Sequence, residues 1–121
     1  MSDASWIADV SRAEVTSLHE TLNPKLVVLE QRVADACPGR SGAIIDGAIR
    51  GVLGLPHSST GELDAAESVV HDIAEQFVLD VHGVSDEQFA RLKNHFTEPE
   101  IVAMLFRMAL ADGLGKLEKV A

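Results

Sequence analysis

Apolar positions recur along this chain at three- and four-residue steps and almost nowhere at every second residue, so the elements they predict are helices. The clearest stripe is Leu63, Ala66, Val70, Ile73 or Ala74, Phe77 and Val81, with Glu62, Asp64, Glu67, Asp72, Glu75 and Asp80 mostly off it. Gly83 is expected to close that helix, because glycine accepts the left-handed turn of a helix end. Ser85 and Gln88 form a capping box for a short helix through about Asn94, with Phe89 and Leu92 turned inward.

Earlier in the chain, Asn23-Pro24 reads as a helix cap and first position, followed by Leu26, Leu29, Val33 and Cys37 or Ala36 on one side. Pro38-Gly39 ends this helix, and Ser41 is the expected cap of the next, whose face is Ile44, Ile45 or Ala48, Ile49 and Val52. Gly47 and Gly51 lie four apart on that helix, which admits either close packing or room for a ligand or another backbone. Residues 55–61, LPHSSTG, are turn-rich and mark the best candidate for a mobile loop. Residues 2–20 predict a first helix or arm, with Trp6, Ile7, Val10 and Leu18 on an imperfect stripe and a second start signal at Ser11 and Glu14.

The last helix, from Thr97 to about Glu118, starts with a second capping-box pattern, Thr97 and Glu100, and has Pro99 in its first turn. From Ile101 to Ala111 every residue but Arg107 is apolar. A helix apolar on most sides must be wrapped by neighbours or by another subunit. Together these segments predict a single all-α domain over residues 1–121, a compact bundle of about six helices with its core in 22–120.

Composition narrows the partners. Ten basic against nineteen acidic residues give a net charge of −9, the basic residues are scattered, and four Phe plus one Trp offer little stacking, so nucleic acid is not an expected partner. One cysteine excludes an intrachain disulfide and fits a reducing compartment. The first residues lack a basic n-region and an apolar run, and no stretch is long and apolar enough to span a membrane, so a cytoplasmic protein is expected.

Four residues are candidates for chemistry. Cys37 ends one helix near Arg40 and the start of the next, a setting that can lower a thiol pKa; a buried cysteine is otherwise a small hydrophobe. His71 stands in line with Glu67 and Glu75 at four-residue steps, either a solvated face or a set of ligating groups, although no second histidine accompanies it at ligand spacing and no metal is expected. His95 lies between Phe89 and Phe96 as a half-buried imidazole or a pocket base. Arg107 needs a carboxylate close by, or binds a small anion, since a charge left unpaired in an apolar setting is costly.

LNPKLVVLEQRVADAC and, later, GVSDEQFARLKNHFTEPEIVAMLFRMALADGLGKL resemble the carboxymuconolactone decarboxylase and alkylhydroperoxidase D-like superfamily of small helical proteins. The redox branch of that family places a glutamate, two cysteines and a histidine at fixed spacing. Set on Cys37, the pattern falls on Lys25, Arg40 and Ile44, so only the one cysteine matches. A lysine and an isoleucine cannot relay protons to a thiol, and an arginine cannot resolve a disulfide. The resemblance therefore implies a redox-inactive member acting as an oligomeric subunit or small-ligand-binding protein, assembled with itself or with a complete homologue. Two alternatives stand beside it. One is a non-thiol enzyme of decarboxylase or isomerase type, with His95 or His71 as acid or base and Arg107 holding an anion. The other is a one-cysteine peroxide or thiol reactant working through Cys37. No cofactor is implied.

Overall fold

The structure, a computed structural model, describes residues 24–120. The expected helix or arm over 2–20 and the cap at Asn23 lie outside them. Five α-helices follow in order: α1 over 24–36, α2 Ser41–Leu53, α3 Ala65–Leu79, α4 Asp86–His95 and α5 Glu98–Val120, with a single 3-10 turn, Val81–Gly83, before α4. No strand occurs among the described residues, so the chain is an all-helical bundle. None of these helices is long and apolar enough to cross a membrane.

The central element is α2, which packs against α3 on one side and α5 on the other. Its Ile44, Ile45 and Ile49 are almost wholly buried, together with Val70 and Ile73 of α3, Leu92 of α4 and Met104 and Met108 of α5. Val33 and Cys37 bring α1 into the same core. Glycine-rich α2 holds its helix because it is enclosed: tertiary burial of its isoleucines outweighs a propensity deficit of about 1 kcal/mol per internal glycine. Gly54 ends it at φ 75°, donating to Arg50 O and Gly51 O. Close approach is needed at Gly115 of α5, where a β-carbon would lie 2.8 Å from Leu53 Cδ1.

Both capping boxes read from sequence form as expected. Ser85 and Gln88 exchange bonds at the start of α4, and Thr97 N donates to Glu100 Oε1 while Glu100 N donates to Thr97 Oγ1 at the start of α5. A third, Asp64 with Glu67, starts α3. Two expected ends differ. Ser41 is not a cap but the buried first residue of α2, with Arg40 in the cap position and no side-chain bond. Gly83 does not close α3, which stops at Leu79; Asp80 then accepts from His82 N to start the 3-10 turn, and that turn leaves Val81 exposed.

Candidate functional site

Two regions flank α2. On the α5 side, Arg107 meets Asp46 in a two-pronged pair: Nε donates to Oδ1 at 2.8 Å and Nη2 to Oδ2. The one charge of the run from Ile101 to Ala111 thus finds the lone carboxylate of α2, and the geometry suits a planar guanidinium. Asp112, five residues further along α5, is paired instead with Lys116 at 2.8 Å. Glu30 of α1 adds to the field on Arg107, and Arg107 in turn is held protonated, chiefly by its bond to Asp46.

The line of charge continues. Arg50 of α2 grips Glu118 of α5 with two bonds of 2.8 and 3.1 Å and holds that carboxyl below its usual range. Glu30, Asp46, Glu118, Arg50 and Arg107 all line a cavity of about 130 Å³. Its lining carries three carboxylates against two guanidinium groups, which leaves no surplus positive charge for an anion. No histidine lines it. The expected partnership of a histidine with an anion-holding Arg107 is therefore not assembled, because α5 turns Arg107 toward α1 and α2 while His71 and His95 stand on α3 and α4.

Cys37 sits beside this network, 7% exposed. Burial pushes its thiol above the ordinary range; Arg107 and, more weakly, Ser41 act in the opposite direction. Ser41 Oγ itself is buried without a hydrogen-bond partner of good geometry, so its pull on the thiol is weak. The thiolate setting expected from Arg40 is absent, since Arg40 points away: its guanidinium donates to Glu67 and to the carbonyls of Thr60 and Glu62. Ile44, the other position of the redox pattern, is core.

On the α3 side, the connector from Gly54 to Asp64 runs back over α2. A β-carbon on Gly47 would stand 3.3 Å from Ser58 O, and one on Gly51 3.5 Å from the His57 ring, so Gly47 admits another backbone and Gly51 an imidazole. The connector expected to be mobile, and the end of α2 that leads into it, accept hydrogen bonds from three cations. Lys119 donates to Leu53 O at 2.6 Å, Arg50 to Pro56 O at 2.7 Å, and Arg40 to Thr60 O and Glu62 O. Beneath it lies a cavity of about 250 Å³ that contains His57, Ser58, Ser59 and Thr60 of the connector and His71 of α3 in its lining.

His57 Nδ1 donates to Leu55 O at 3.0 Å, which fixes Nε2 as the lone-pair nitrogen of the neutral ring. His71 Nδ1 lies 3.5 Å from Glu75 Oε1 and 3.7 Å from Asp72 Oδ1. These three side chains approach metal-ligand spacing, with His71 and Glu75 half-buried and Asp72 exposed, and such acidic groups are common without an ion. Glu67, expected in line with them, is taken by Arg40 and by its own capping box. His95 is exposed in the last turn of α4, its ring edge-on to Phe96 at 6.3 Å between centroids, and it lines neither cavity.

Sequence reading missed Asp46, His57 and the Arg40 and Arg50 clasps. Asp46 carried a signal: it is the single acidic residue in SGAIIDGAIRGVLG, as Arg107 is the single charge of its run. His57 carried none beyond its place in a turn-rich connector. No family model, curated protein or solved structure matches the chain.

Proposed function

We propose that this chain is a redox-inactive relative of the carboxymuconolactone decarboxylase and alkylhydroperoxidase D-like proteins that works as an oligomeric helical subunit. The observation that carries the assembly is the outer face of α5. Val102, Phe106, Ala109, Gly113, Leu117 and Val120 repeat at steps of four and three along it, and all are exposed, Val102 by 58% and Phe106 by 53%. At 1.5 Å per residue the stripe is about 27 Å long, the length of a helix-to-helix seam. Val102, Leu105, Phe106 and Ala109 also shape a shallow apolar groove of about 240 Å³, suited to a Phe side chain from a second copy. The net charge of −9 keeps such an assembly dispersed.

The redox-inactive part rests on Cys37. It is the chain's one thiol, it is buried, and the positions where the family pattern has its proton relay and resolving thiol hold Lys25, Arg40 and Ile44. A thiol raised in pKa by burial is a poor nucleophile at neutral pH.

Light scattering on the purified chain at micromolar concentration tests the assembly. A closed oligomer is expected, and Phe106→Glu is expected to convert it to monomer while its helical circular dichroism persists. A wild-type chain that is strictly monomeric sinks self-association, and a chain that assembles only when a complete homologue is added points to a mixed complex. Alkylation of Cys37 by iodoacetamide at pH 7 is expected to run at least tenfold slower than for a free model thiol. A rate equal to the free thiol's revives the one-cysteine reactant.

A further inference from the structure

The cavity under the connector is independent of the α5 seam and has the build of a binding site. The connector over it is tied at both ends, because Arg40 donates to the carbonyls of Thr60 and Glu62 and Arg50 to that of Pro56. The cavity's depth comes from Gly47, where a side chain would meet the Ser58 carbonyl. Its volume of about 250 Å³ has room for a compact organic molecule, and it opens to solvent past the exposed His57, Ser58 and Ser59.

The lining dictates the chemistry. In the neutral ring His57 Nε2 is the hydrogen-bond acceptor, since Nδ1 donates to Leu55 O. Ser58, Ser59 and Thr60 supply hydroxyl donors; Ser59 Oγ accepts from Gly61 N at 3.2 Å, which leaves its own O–H free to donate. Ile44, Ala48 and Leu63 provide an apolar wall. No aspartate, glutamate, lysine or arginine lines the cavity; the imidazole of His71, whose Nδ1 faces the Glu75 and Asp72 carboxylates, is the second group there able to donate, through Nε2. A complementary ligand has concentrated acceptor oxygens, one hydroxyl donor and a short aliphatic edge.

We infer that this cavity binds a short aliphatic hydroxy acid, its hydroxyl donating to His57 Nε2 and its carboxylate accepting from the hydroxyls of residues 58–60 and from His71. The specificity follows from pairing: His57 is exposed, so an analogue lacking the hydroxyl leaves Nε2 to water and gives up one net hydrogen bond.

The test is a titration of the full chain, labelled in its histidine rings, with 2-hydroxybutyrate, and in parallel with butyrate and 1,2-butanediol. Saturable shifts confined to the His57 and His71 rings, complete below about 10 mM, are expected for the hydroxy acid, a modest affinity in keeping with so few ligand atoms. Butyrate and the diol are each expected to bind about three- to tenfold more weakly. His57→Phe keeps an aromatic ring against Gly51 but removes the acceptor, and Thr60→Val removes a donor without changing shape; each is expected to weaken the hydroxy acid by about the same factor with unchanged circular dichroism. The inference is overturned by an absence of saturable shifts, by equal shifts at His82 and His95, by butyrate binding as tightly as its hydroxylated analogue, or by full affinity in His57→Phe.

Discussion

The two sides of α2 use one helix in opposite ways. Toward α5 the helix presents Asp46 and Arg50, and each is met by a partner of opposite charge, Arg107 and Glu118. Toward the connector it presents Gly47 and Gly51, and what meets them is backbone and an imidazole, with space left over. The first side is chemically closed: every donor fork is answered, and a ligand entering there must displace an ion pair. The second side holds unspent hydrogen-bonding groups around an open cavity whose connector is tied at both ends. A charged residue in an apolar helix is therefore weak evidence of function where its complement exists one helix away, whereas small residues under a clasped loop mark where a molecule can go.

The sharpest way to break this comparison is to open the closed side. Arg107→Met removes the cation and leaves Asp46 facing the core edge without its partner. Losing one member of a fully buried pair costs about 3–5 kcal/mol, and the Asp46 side chain retains 32% exposure, so a loss of about 2–3 kcal/mol in urea unfolding is expected. Adding Asp46→Leu is expected to recover most of it, to within about 1 kcal/mol of the parent, because the uncompensated charge is then gone. If Arg107→Met costs less than about 0.5 kcal/mol, the pair is not what closes this side and Arg107 regains its standing as an anion holder.

On the open side the expected effects are smaller and of two signs. Gly51→Ala places its methyl in ordinary contact with the His57 ring at 3.5 Å, so the gain in helix propensity survives and about 0.5–1 kcal/mol of stabilisation is expected. Gly47→Ala sets its methyl 3.3 Å from Ser58 O, a carbonyl in a connector clasped on both sides, and that crowding is expected to cancel the gain or reverse it by up to about 0.5 kcal/mol. Equal stabilisation by both, read from urea midpoints, would mean that the connector yields and the cavity is not preformed.

Much of the helical frame was legible. Periodicity placed α2, α3, α4 and α5, and reciprocal capping residues located the starts of α4 and α5 to the residue, since those signals are local. The demand of Arg107 for a carboxylate was also legible, because desolvation is a property of the side chain itself; the identity of Asp46 was not, for it lies 61 residues away in sequence. His57 was invisible for the same reason. Its role depends on a connector folding back over two glycines, and that path is set by bonds from Arg40 and Arg50 to carbonyls, which every residue carries and no sequence pattern marks. The stop of α3 at Leu79 was misjudged because Asp80 starts a new turn with its own side chain, and that local bond outcompetes a glycine three residues on.

The smallest effect separates the clasps at the two ends of the connector by their acid response. Arg40 holds the Glu67 carboxyl down to about 2, with help from the Asp64 backbone N–H, against an ordinary value near 4.5. A carboxyl depressed on folding stabilises the native state fully above its unfolded pKa and loses that contribution as pH falls toward the folded one, so the window runs from about pH 4.5 to pH 2. Glu118, lowered by Arg50, titrates in the same direction at the other clasp. Both clasps are solvent-facing, so each change is modest and shrinks with added salt. Thermal midpoints measured from pH 5 down to pH 3 are expected to fall in the parent, to fall less steeply in Arg40→Gln, and to change least in slope for Arg50→Gln, whose partner is less strongly depressed. Arg40 also holds the carbonyls of Thr60 and Glu62, which flank Gly61 at the edge of the histidine cavity. If Arg40→Gln leaves the acid slope as steep as in the parent, the clasp does not bind Glu67 in solution, and the connector over the open side loses one of its ties.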